Sequence, residues 1–96
     1  MSIIVIYYQQ QKHESVKDSI ERVKNLIKNL ETSHNIVGVF IDSHNDRNLL
    51  NEMLNTSLDE IDILYMNKPI DDEFYSKLLN QLSKIEQFIV KYIDEI

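Results

Sequence analysis

Apolar positions along this chain alternate between unbroken runs and helical spacing. Ile3-Ile4-Val5-Ile6-Tyr7-Tyr8 is continuous, the composition of a buried strand. A polar stretch leads to Ser15, a good N-cap with Asp18 three residues on, so a helix is expected from there to about Leu30. Within it Val16, Ile20, Val23, Ile27 and Leu30 recur at steps of four and three, which predicts one buried stripe. After an exit loop over residues 32–35, Ile36-Val37-Gly38-Val39-Phe40-Ile41 is again unbroken, as expected of a parallel strand covered on both faces.

Asp42-Ser43-His44-Asn45-Asp46 is a polar turn in which Asn45 or Asp46 can cap a short helix through Leu54, with Leu49, Leu50, Met53 and Leu54 inward. Ser43 and Ser57 read as turn residues. A third strand, Ile61-Asp62-Ile63-Leu64-Tyr65-Met66, stops before Asn67-Lys68-Pro69 at the only proline. Asp71 and Asp72 suit a helix N-terminus, and Phe74, Leu78, Leu82 and Ile85 predict that helix's buried stripe. The end of the chain supports two readings. Leu82, Ile85, Ile89, Tyr92 and Ile96 continue the helical spacing as an association seam, whereas residues 88–93 have the composition of a strand.

Alternating strands and helices with short connections predict an α/β fold. The expected form is a small parallel sheet of three to four strands with right-handed crossovers and helices on both faces. No repeat or linker interrupts the pattern, so residues 1–96 are read as a single domain. With 43% hydrophobic and 27% charged residues the chain belongs with folded domains rather than disordered ones. No apolar run approaches the roughly 20 residues of a membrane span, and Met1-Ser2 leads into a strand without a basic signal region. The absence of cysteine excludes disulfides and thiolate chemistry, and a cytoplasmic location is expected.

The net charge of −6 argues against the chain binding nucleic acid by itself. Lys12, Lys17, Arg22, Lys24 and Lys28 are interleaved with Glu14, Asp18, Glu21 and Glu31, the pattern of a solvated, salt-bridged face. Asp42-x-His44-x-Asp46 lacks the glycine of a calcium loop and has Met53 where the closing glutamate belongs. His13, His34 and His44 fall in separate predicted loops without ligand spacing. Gly38 is the only glycine and lies in a strand, which excludes a phosphate-cradling loop. Of the adjacent tyrosines, Tyr7 is expected in the core and Tyr8 beside an exposed cleft.

The first strand runs out as Tyr7-Tyr8-Gln9-Gln10-Gln11. The second reads Val37-Gly38-Val39-Phe40-Ile41-Asp42, and Asp46-Arg47 precedes Leu49, Leu50 and Leu54. Together these resemble the N-terminal catalytic domain of serine recombinases (resolvases and invertases). That family's first strand ends Tyr-x-Arg-x-Ser, its second commonly reads Val-Gly-Val-Phe-x-Asp, and an Asp-Arg-Pro-x-Leu segment follows. The helix from Glu14 to Leu30 and the strand Glu60-Ile61-Asp62-Ile63-Leu64-Tyr65 look like the family's next elements. The resemblance implies a resolvase-like fold and favours a fourth strand at the chain's end.

It also implies that the chemistry has been lost. Gln9 stands at the Arg position and Gln11 at the nucleophilic Ser, and an amide nitrogen cannot attack a phosphodiester because its lone pair is delocalised into the carbonyl. The proline of Asp-Arg-Pro is missing. Pro69, Ile70 and Glu73 fall where active members carry Asp, Arg and Arg, and a glutamate there repels phosphate. Arg47 alone matches an active-site arginine. The family's dimerisation helix and DNA-binding domain would lie beyond Ile96, so the chain is expected to hold about the first two-thirds of a catalytic domain.

The resemblance points to a catalytically inactive module acting by protein–protein interaction, a regulator carried by a phage or mobile element. Its expected partner is a recombinase, a phage or host regulator, or a second copy of itself. Candidate contact residues are Tyr8, Gln9 and Gln11 after the first strand, Asp42 and Arg47 after the second, and Ile89 and Tyr92 near the end. No catalytic residue, cofactor, metal or membrane contact is expected. The alternative is a small ligand-binding or enzymatic domain in which Asp42, Asp46, Arg47 and Asn67 converge at the carboxyl ends of the strands.

Overall fold

A computed structural model describes residues 1–56 and 58–93. The elements are β1 (Ser2–Gln9), α1 (Val16–Leu30), β2 (His34–Asp42), α2 (Asn48–Thr56), β3 (Ile63–Met66), α3 (Glu73–Glu86) and β4 (Ile89–Tyr92). All four strands are parallel and lie in the order β2-β1-β3-β4, so β1 is central. Side chains of a strand alternate between faces, and here both faces are covered. Ile4 and Ile6 of β1, with Ile63 and Tyr65 of β3, meet Leu26 and Leu30 of α1. On the other face Val5, Tyr7, Leu64 and Met66 meet Leu50 and Met53 of α2 and Leu79 of α3. Leu64 is fully buried in this second layer, and truncation of such a side chain to alanine costs about 2–5 kcal/mol.

The helix boundaries follow their caps. Ser15 accepts a hydrogen bond from the Asp18 N–H, and Asp72 accepts one from the Tyr75 N–H. The buried stripe of α1 differs from the expected one. Ser19, Val23, Leu26 and Leu30 face inward, while Val16 and Ile20 are exposed. Ser19 can be fully buried because it is small and its hydroxyl donates to the Ser15 carbonyl at 2.9 Å.

β2 is not covered on both faces as its composition suggested. Among the described residues no strand pairs with its outer edge, and Val37 and Val39 stay exposed. Its register with β1 slips between Ile4 and Val5, which leaves Val37 as an extra residue. In α3, Tyr75, Leu79 and Leu82 pack inward, while Phe74 and Ile85 of the expected stripe are exposed. β3 begins two residues later than expected. Asp62 instead ties three strands at the amino end of the sheet. Its N–H donates to the Ile3 carbonyl at 2.7 Å, its carboxylate accepts from the Ile3 N–H at 2.7 Å, and its carbonyl accepts from the Ile89 N–H at 3.0 Å.

The long C-terminal helix is excluded and the fourth strand is present. Gln87 adopts the left-handed conformation at φ 60° without being glycine, and its N–H and that of Phe88 both reach the Ser83 carbonyl. The chain turns there and buries Phe88. Ile89 pairs with Ile63 on the α1 face, whereas Tyr92 pairs with Met66 on the α2 and α3 face. Ile85, Ile89 and Tyr92 therefore form no common seam. Ile96 and Ser57 lie outside the described residues.

Candidate functional site

In a doubly wound sheet, crossovers diverge where the strand order reverses, and ligands collect at the carboxyl ends there. In this chain the reversal falls between β1 and β3. The gap is tied shut by one side chain: Asn67, just past β3, accepts from the Gln9 N–H at 2.9 Å and donates to the Gln9 carbonyl at 2.8 Å. On the α2 side the Gln9 side chain, itself buried, donates to the His44 and Asp46 carbonyls at 3.2 and 3.4 Å. The Gln9 amide thus braces the loop after β2.

Asp42 ends β2 only 2% exposed. Its carboxylate accepts from the Tyr7 hydroxyl at 2.8 Å and from the Leu49 and Leu50 N–H groups at 3.1 and 3.0 Å. It therefore caps the first turn of α2 from below, while Asp46 accepts from the Asn48 N–H at 2.9 Å. Burial, then the bond to Asp42, pushes the Tyr7 phenol far above its ordinary pKa, so Tyr7 is a neutral donor. Arg47 lies within electrostatic reach of Tyr7, and its Nε is buried without a hydrogen-bond partner among the described residues.

On the α1 side of the carboxyl edge is a cleft of about 450 Å³. Tyr8, Gln11 and Asn67 line it from the sheet, Arg22, Asn25 and Asn29 from α1, and Leu26 and Ile93 give it an apolar floor. One wall is fixed by a polar cluster centred on the buried Glu14 carboxylate. The Tyr8 hydroxyl donates to Glu14 at 2.6 Å, Arg22 pairs with Glu14 at 3.0 Å, and Glu14 also accepts from the Gln11 N–H at 3.0 Å. Burial acts to raise the Glu14 pKa, but the bonds from Tyr8 and Gln11 and the Arg22 charge outweigh it and hold the group below the usual carboxylate range. Burial, and secondarily the bond to Glu14, raises the Tyr8 phenol. The remaining polar lining is carboxamide, which offers donors and acceptors but neither nucleophile nor base. Such a surface can bind a polar group.

The candidate contact residues do not make one surface. Tyr8 and Gln11 line the cleft, with Tyr8 buried and Gln11 exposed. Gln9 and Asp42 are buried and bonded within the fold. Arg47 is half-buried beside them. Ile89 is exposed on the edge strand β4, and Tyr92 packs against the core. Asp42, Asp46 and Arg47 lie on the α2 side and do not converge with the cleft that Asn67 lines. The cleft's helix residues, Arg22, Asn25 and Asn29, went unnoticed in the sequence as a group. Their spacing of three and four is the available signal, a polar stripe running beside the buried one. Among the described residues no group of three or more His, Asp or Glu side chains is placed to hold a metal ion.

The fold and this edge define a small, doubly wound parallel α/β domain with a polar cleft. Comparison with protein-family models, with curated proteins and with solved structures finds no match. These comparisons show no relationship to serine recombinases. No described helix is long and apolar enough to cross a membrane.

Proposed function

We propose that this chain is a catalytically inactive, serine-recombinase-like module of the cytoplasm that works by binding another protein, as a regulator carried by a phage or mobile element. The observation that carries this reading is the commitment of the carboxyl edge to the fold. Gln9, Asp42 and Asn67 spend their polar atoms on hydrogen bonds within the domain, and Gln11 offers an amide where a nucleophile is needed. Exposed Phe74, Ile85 and Ile89, together with Val37 and Val39, supply the apolar surface that protein contacts use. The test is affinity capture of the tagged protein from its host, followed by reconstitution of the captured pair from purified components. A specific partner that binds saturably supports the reading. An eluate holding only the bait, in repeated captures, overturns it.

The 450 Å³ cleft favours a second reading, a small-molecule-binding domain. That reading predicts a saturable thermal shift with a polar metabolite, lost in Asn25→Leu. Asp42→Ala is unsuitable for this test, because Asp42 holds the fold. A metabolite screen without any saturable shift counts against this second reading.

A further inference from the structure

We propose that one partner is a second copy of this chain, joined through the free edge of β2 across a two-fold axis near Gly38. This deepens the protein-binding reading and rests on it. A sheet edge presents unpaired N–H and C=O groups, and proteins blunt such edges with charge, proline, shortness or a β-bulge, of which β2 has only the bulge. The edge at β4 is blunted, being four residues long and carrying Lys91. The edge at β2 is nine residues long, and between His34 and Asp42 it has no charged residue and no proline. The bulge at Val37 is its one irregularity, and it turns an apolar side chain outward.

The side chains above this edge are apolar as well. Val39 pairs with Ile6 and therefore lies on the α1 face of the sheet. Ile27 of α1 stands beside Ile36 at the amino end of β2. At 100° per residue, Val16 and Ile20 lie on that same flank of the helix. Exposures of 63% for Val16, 41% for Ile20, 56% for Val37 and 37% for Val39 describe one uncovered strip that runs from helix to strand edge.

The strip is self-complementary. Ile36-Val37-Gly38-Val39-Phe40 reads nearly the same in both directions, so antiparallel pairing about Gly38 sets Val37 against the partner copy's Val39. A two-fold axis perpendicular to the sheet puts both α1 helices on one face, running antiparallel. Lys17 and Glu31, at opposite ends of the same flank, then meet each other's counterparts with opposite charge, while Lys24, midway between them, faces its own counterpart and weakens the pairing. An edge of roughly 30 Å, with a sheet and one helix layer about 15–20 Å deep, buries on the order of 500 Å² per copy. The total of about 1,000 Å² is the lower bound for a specific interface, so a weak, reversible dimer is expected.

Sedimentation equilibrium of the whole chain up to about 100 µM tests this, a range suited to micromolar affinity. The wild-type mass should rise with concentration from one copy toward two. Val39→Lys should weaken association roughly tenfold or more, by placing a charge on the pairing edge. Ile89→Asp, on the far edge, should leave association unchanged. If Val39→Lys alters the circular dichroism or the urea midpoint, Val16→Asp, on the exposed helix surface, replaces it. A wild type that stays monomeric throughout, or association unaffected by both strip variants, overturns the inference. So does association abolished by Ile89→Asp. A monomer that still captures a different protein sinks the dimer and leaves the protein-binding reading standing. A dimer that captures nothing else keeps this inference, while the reading that a different protein is bound falls.

Discussion

Replacing Asp42 with alanine removes the acceptor of three hydrogen bonds at once, from the Tyr7 hydroxyl and the Leu49 and Leu50 N–H groups, in a place water scarcely reaches. Losing the helix cap costs about 1 kcal/mol, and losing a charge-assisted bond to a buried hydroxyl costs about 1.5–3 kcal/mol. The expected destabilisation is roughly 3 kcal/mol, a large share of the ~5–15 kcal/mol that holds a domain folded. For a chain of this length that corresponds to a fall in Tm of roughly 12–24 °C. Asp42→Asn keeps the shape and one acceptor oxygen, so about half of that loss is expected. Urea unfolding followed by circular dichroism measures both variants, with the slope expected to stay constant. A double-mutant cycle with Tyr7→Phe should return a coupling of about 1–2 kcal/mol. An Asp42→Ala loss below about 1 kcal/mol, or strict additivity with Tyr7→Phe, would show that Asp42 is not the cap described.

The Glu14 carboxyl is held below the usual range in the folded state, so its contribution is complete above the unfolded value of about 4.3 and is lost as pH falls below it. Glu14→Gln should therefore lower stability at pH 7 and flatten the acid limb of a stability–pH profile; an unchanged limb would refute this. Tyr7 and Tyr8 are raised, so stability is complete below the ordinary phenol value of about 10 and falls as pH climbs above it. Ultraviolet titration should show a phenol ionisation that appears only with unfolding, and that part of the signal should be missing after Tyr7→Phe. Gln87→Gly relieves a left-handed side-chain conformation at φ 60° and should raise stability by about 0.5–1 kcal/mol, read from the urea midpoint.

The order of elements was legible because each strand run and each cap is local. Ser15 and Asp72 cap as their positions imply, and the apolar runs at Ile4 and Leu64 build the sheet's centre. What the sequence concealed depends on distant neighbours. Ser19 is buried and Ile20 exposed, because the rotation of α1 on the sheet is set by its packing partners and not by its own apolar spacing. Ile36-Val37-Gly38-Val39-Phe40 reads as a central strand, yet strand order is not written in composition, and β2 lies at an edge. The break at Gln87 has no glycine or proline to announce it; burial of Phe88 is its cause. At the site, Tyr8 and Gln11 could be singled out in the sequence. The α1 wall of the cleft could not, since Arg22, Asn25 and Asn29 look like any solvated helix face until a sheet stands beside them.

The position of β1 governs how the chain can assemble. Val5 is flanked by Gly38 on one side and Leu64 on the other, both far downstream of it. One side of the apolar strand must therefore wait, unpaired, until two helices and two further strands have formed. Contacts of such long sequence separation slow folding, and an unprotected strand invites pairing with other chains in the interval. A chain cut short before Met66 should consequently yield insoluble aggregate rather than a smaller domain, and folding should speed up little when the cap at Ser15 is improved.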